Sequence, residues 1–173
     1  MGQPLVQGHP TAGHYFGIAT VLYLMQADAL RERTMLRQLL LGGSVSLGNI
    51  AIHAVVMAAL VGTARRALRW KHRKSQAWLA AVMVATVGVL LVAHVAEVIA
   101  WSLTYAIFGV VPPGADVLYF AFVNYTTLGY GDVVPVERWR LLGPMAAMNG
   151  VLLFGWSTAV IFEVLRQAMR LLD

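Results

Sequence analysis

The residues whose types and spacing carry the most specific chemistry are Thr126-Thr127-Leu128-Gly129-Tyr130-Gly131-Asp132. Two hydroxyl residues precede a run in which glycine flanks a tyrosine on both sides. Glycine at alternate positions lets the backbone take left-handed dihedrals without a Cβ clash, so that successive carbonyls can all face one way. If several copies of the stretch line a common axis, the oxygens of Thr127, Leu128, Gly129 and Tyr130 form stacked rings, with the Thr127 hydroxyl below them. Such rings can replace the hydration shell of a cation. A tight turn would account for the glycines alone; it needs neither the threonine pair before them nor the apolar span after them.

The surroundings of this stretch read as membrane. Of 173 residues, 59% are hydrophobic and 12% charged, against about a quarter charged in soluble globular domains. The chain has no cysteine, which excludes disulfides, thiolate metal sites and cysteine nucleophiles. Net charge is +5, but six of the thirteen basic residues fall between Arg65 and Lys74. A basic cluster between two apolar runs sets topology before it sets partners. Nucleic-acid binding, which wants basic residues interleaved on a solvated domain, is not expected.

The elements that must position the glycine-tyrosine-glycine run follow in order. Residues 1–27 carry no Asp, Glu, Lys or Arg. Their apolar core is shorter than the roughly 20 residues a spanning helix needs, and no basic region precedes it as in a signal peptide. Residues 12–34 read as a helix in or near the interface, inside an N-terminal segment 1–35; a fourth span or disorder stay open. The first spanning helix covers 36–64, with Gly42, Gly43, Ser44, Ser46 and Gly48 for close packing and a lone His53, structural or proton-sensing. A basic cytoplasmic loop, 65–76, comes next. Its Arg65, Arg66, Arg69, Lys71, Arg73 and Lys74 act as a topology determinant or also bind anionic lipid headgroups.

Residues 77–173 divide into an outer helix 77–108, a short helix 116–126, the stretch 127–132 and an inner helix 140–168. Asp116 is placed to cap the short helix, which is too short to span and must re-enter. Its partly negative C-terminal end then points at mid-membrane, where it favours a dehydrated cation. On the outer helix His94 and Glu97 share one face, as a proton-sensitive latch or as a static hydrogen-bonded pair. On the inner helix Asn149, Leu153 and Ser157 share a face. With Gly150, which reads as a hinge or a close-packing residue, they are the candidates for cavity lining or gate.

The run Thr127-Leu128-Gly129-Tyr130-Gly131-Asp132 resembles the signature of pore-loop potassium channels, Thr-Val-Gly-Tyr-Gly-Asp, with leucine for valine at a position that contributes its carbonyl. The resemblance is strong over residues 116–158. Over 36–170, including His94-x-x-Glu97 and Leu153 to Thr158, the chain is similar to small bacterial ion-channel proteins related to the two-pore-domain group, here with one pore loop. Two departures stand out. Tyr119-Phe120 occupies the place of a tryptophan pair, and Val123 that of a glutamate found in some members. Asp132 is therefore expected to find Tyr119 or another donor rather than a second carboxylate. Gly150 falls where the family carries its inner-helix hinge.

The resemblance implies an all-α membrane protein: a potassium-channel pore module (outer helix, re-entrant pore helix and filter, inner helix) preceded by one extra transmembrane helix and an N-terminal interfacial helix. It implies passive K+ conduction, with Thr127, Leu128, Gly129, Tyr130 and Gly131 as selectivity filter and Thr126, Asp132 and Tyr119 as its support. A closed ring of carbonyls needs about four strands, so a homotetramer follows by symmetry. A non-selective cation channel and a non-conducting membrane subunit or scaffold are the alternatives. No enzymatic step, no cofactor and no metal beyond K+ in the filter are expected, since no His, Cys or carboxylate set has usable spacing. The expected location is the plasma membrane (the inner membrane if Gram-negative), multi-pass, with a cytoplasmic C-terminus, no voltage-sensor helix and no ligand-sensing domain after Asp173.

Overall fold

A computed structural model of the chain describes residues 13–68 and 75–170. Among the described residues it is helical without strands: α1 is Gly13–Leu68, α2 Gln76–Phe108, α3 Val117–Tyr125 and α4 Leu142–Met169, with a 3-10 turn at Glu137–Trp139 before α4. Three stretches, Tyr23–Arg66, Gln76–Phe108 and Glu137–Met169, are long and apolar enough to cross a membrane. The protein is an all-α, multi-pass membrane protein.

Two compact units divide the chain, Met1–Arg37 and Gln38–Asp173. In the first, the described side chains of α1 are mostly exposed, among them Tyr23, Leu24 and Met25. The sequence suggests two elements meeting near residue 35, whereas the structure has one helix of 56 residues. The charged run Asp28 to Arg37 holds neither glycine nor proline. Polarity decides where a helix lies relative to lipid; only strong breakers end its hydrogen-bond ladder. Arg65 and Arg66 are exposed in the last turn of α1. Arg69, Lys71, Arg73 and Lys74 lie outside the described residues, as do residues 1–12.

In the second unit each helix end has a local cause. Ser75 opens α2 by accepting the Trp78 amide at 3.2 Å. Gly109, at φ 58°, closes it, and the Val110 amide folds back onto the Tyr105 carbonyl at 3.0 Å, a left-handed helix cap that glycine adopts without strain. Beyond Pro112 and Pro113, the Asp116 carboxylate accepts the Tyr119 amide at 3.0 Å and starts α3. With nine residues, α3 is about 14 Å long against a hydrocarbon core of roughly 30 Å. It therefore enters the membrane and hands the chain back.

Lipid tails are as apolar as leucine, so close packing and hydrogen bonds must hold these helices together. Trp101 and Tyr105 of α2, Phe120 and Tyr125 of α3, and Leu142 and Ala146 of α4 form a core around the short helix. Met57 and Leu60 of α1 pack with Val82 and Leu90 of α2 and Val160 and Val164 of α4 in a second cluster. Backbones approach closely at Gly42, where a Cβ would stand 2.5 Å from Met145 Sδ, and at Gly143, where one would stand 2.7 Å from Asn124 Oδ1.

Candidate functional site

After Tyr125 the chain leaves α3 and runs through Thr126 to Asp132 in a conformation helices and strands do not use. Thr127, Gly129 and Gly131 have φ of 63°, 56° and 78°. Left-handed residues at alternate positions allow successive carbonyls to face one way. The start of the run is held by the helix that precedes it. The amides of Leu128 and Gly129 both donate to the Val123 carbonyl, at 2.9 and 3.3 Å, and the Thr127 amide donates to Asn124 at 2.9 Å. Thr127 in the left-handed region costs about 1–2 kcal/mol, which these three bonds offset. Among the described residues, nothing in the chain donates to the carbonyls of Thr127, Leu128, Gly129, Tyr130 or Gly131.

Thr126 turns its hydroxyl back onto the Phe122 carbonyl at 2.7 Å. At the far end of the run, the Tyr119 hydroxyl donates to Asp132 Oδ2 at 2.7 Å, and the Val133 amide donates to the other carboxylate oxygen at 3.0 Å. The hydrogen bond to Asp132 holds the exposed Tyr119 phenol above its ordinary pKa. The run is thus fastened at both ends to α3, its start to the last turn and its exit to the first.

Beneath the C-terminal end of α3 lies a buried polar cluster contributed by four helices. Glu97 of α2 has Oε1 2.6 Å from Nδ1 of His53 on α1 and Oε2 3.0 Å from Nδ1 of His94. Its Oε2 also accepts the hydroxyl of Tyr125, the last residue of α3. Ser157 of α4 places its Oγ 2.9 Å from His94 Nε2 and 3.3 Å from His53 Nε2. Nearby, Asn149 Oδ1 accepts from Asn49 Nδ2 at 3.1 Å and from Trp101 Nε1 at 3.0 Å. An ionisable group inside a membrane protein is costly and faces partners, and here every titratable member has them.

His94 and Glu97 share a face, and they belong to a larger set with His53, Tyr125 and Ser157 at the C-terminal end of α3. Asn149, Gly150, Leu153 and Ser157 are buried inside the single chain. Periodicity puts Asn149, Leu153 and Ser157 on one face correctly, but it does not say which way the face looks. The polar groups Asn149 and Ser157 turn it towards their partners on α1 and α2. Gly150 is a packing residue: a Cβ there would stand 2.0 Å from the Tyr125 carbonyl oxygen. His53, 41 positions before His94 in sequence, joins His94 and Glu97 in space. The signal available was Asn49 and His53, one turn apart on an otherwise apolar span and in need of polar partners.

The second half of α2, all of α3, the glycine run and most of α4 fall within residues 93–167, which match a protein-family model described as "Ion channel". This segment is similar to ion-channel domains. No curated protein and no solved structure matches the chain significantly. On that likeness α2 corresponds to an outer helix, α3 to a re-entrant pore helix and α4 to an inner helix, while α1, His53 included, lies outside the matched segment yet supplies part of the buried cluster behind α3.

Proposed function

We propose that the protein conducts K+ selectively through a pore formed by four copies of the chain, with Thr127, Leu128, Gly129, Tyr130 and Gly131 as the filter. The observation that carries this reading is the filter backbone itself. Its residues alternate into left-handed conformations, its amides are tied to Val123 and Asn124, and its carbonyls have no donor among the described residues. Unpartnered carbonyls held at fixed spacing are what a dehydrated cation needs. The pore helix adds a partial negative charge at its C-terminal end, adjacent to the filter entrance.

With Asn149, Leu153 and Ser157 turned inward, the vestibule below the filter falls to exposed inner-helix residues, among them Val151, Phe154 and Thr158 at helical spacing. Conduction is passive: K+ sheds water, moves between carbonyl cages and is displaced by the next ion. On this reading the C-terminus is cytoplasmic, since the basic loop after α1 stays inside.

The test is K+ flux through purified protein in liposomes with Na+ as competitor, and Gly129→Asp as control. Selective flux abolished by the substitution is expected. Equal K+ and Na+ permeation would replace selectivity with general cation conduction. A protein that is folded but silent over a broad range of pH and lipid would be a non-conducting subunit.

A further inference from the structure

The geometry points to a second, non-permeating cation site: His53, His94 and Glu97 form a binding site for one divalent first-row transition metal ion per chain, at the base of the pore helix. Their nearest ligand atoms all lie within 4.8 Å of one another. A tetrahedral zinc site with bonds of about 2.0–2.1 Å has edges of roughly 3.3 Å; the two His–Glu97 contacts, at 2.6 and 3.0 Å, open slightly to admit the ion, and any longer edge closes by about 1.5 Å or less. His53 and Glu97 have fully buried side chains and His94 is 12% exposed, so the ion would enter on the His94 side.

The hydrogen-bond geometry is compatible with an ion. Both histidines present Nδ1 to Glu97 and Nε2 to Ser157. A metal ion on the two Nδ1 atoms fixes the tautomers. Each Nε2 then carries the hydrogen, and the two lone pairs of Ser157 Oγ accept both. That is the outer-shell contact metal-bound histidines generally make.

Charge accounting agrees. Glu97 cancels one positive charge of a divalent ion, and the remainder sits at the C-terminal end of the pore helix, where the helix dipole is negative. Tyr125 Oη, 2.9 Å from His94 Nδ1 and hydrogen-bonded to Glu97, flanks the fourth position. The donor set of two imidazoles and a carboxylate suits Zn2+, Co2+ or Fe2+ over Mg2+ or Ca2+. Occupancy would fasten α1 and α2 together directly behind the residue at which the pore helix ends.

The test uses full-length, tag-free protein in detergent, stripped with chelator and titrated with Co2+, followed by Zn2+ displacement and metal analysis after desalting. The expected result is one ion retained per chain, with a saturable visible cobalt band abolished by Zn2+. His53→Gln should lose both readouts. Ser157→Ala keeps all three ligands, and its affinity should fall about 10–100-fold, so the site remains testable if His53→Gln does not fold. Absence of retained metal in folded wild-type protein would overturn the site and leave the cluster holding a proton in its place. Metal retained equally by wild type and both variants would also overturn it, by assigning the ion to His9, His14 or His72. Neither readout depends on flux, so the outcome is separable from that of K+ selectivity.

Discussion

At the scale of single residues, Gly150 is the tightest point between the inner helix and the filter's support. The missing side chain leaves room for the Tyr125 carbonyl, and a methyl group there would overlap backbone atoms, at 2.0 Å from the oxygen and 3.0 Å from the carbon. Backbone at a helix end cannot swing aside as a flexible side chain can. Overpacking of this kind costs about 1–3 kcal/mol. Gly150→Ala is therefore expected to lower the thermal midpoint of purified protein and to weaken conduction by displacing Tyr125. Gly88→Ala, on a part of α2 where a Cβ meets nothing within 4 Å, should be neutral or stabilising, since alanine is the better helix former by up to about 1 kcal/mol. Equal melting of the two variants would show that Gly150 does not constrain the packing. The unusual backbone of the glycine run is legible in sequence because alternating glycines announce it. The part played by Tyr125 is not legible. It depends on Glu97 and His94 reaching the phenol from another helix, and no local pattern records that.

At the scale of elements, the inner helix shows how a helical face is chosen. Its spacing alone offers Asn149, Leu153 and Ser157 as one stripe, and an aqueous cavity is a natural place for two polar residues. The structure gives that stripe to the chain's own interior, where Asn49, Trp101, His94 and His53 supply partners that lipid cannot. The cysteine-free sequence makes the assignment directly testable. Thr158→Cys is expected to react with a water-soluble thiol reagent applied to open channels, and the added bulk should block K+ flux. Leu153→Cys, at a position 1% exposed, should stay unmodified with flux unchanged. The reverse pattern would return the Asn149 stripe to the cavity. Lengths and ends of α2 and α3 are readable because Ser75, Gly109 and Asp116 act through nearest neighbours. The continuity of α1 is not, because a charged run changes a helix's surroundings without interrupting its backbone.

At the scale of the whole molecule, a single chain presents one filter strand whose Leu128 and Tyr130 are 57% and 67% exposed. Side chains of that size behind a filter need something to pack against. An ion needs carbonyls on all sides, and one strand supplies a quarter of a ring. On the proposed reading, cyclic symmetry would meet both demands with one interface repeated around an axis. Native mass spectrometry of detergent-solubilised protein is expected to give four chains per particle, and cross-linking should produce a ladder ending at the tetramer. A particle of two chains would sink the assembly, because two strands leave half of each ion cage open and the dehydration cost of K+ uncompensated. Substituting Tyr130 by alanine should weaken the proposed tetramer more than it unfolds the chain, since that ring, 67% exposed in the single chain, has little to lose inside its own subunit.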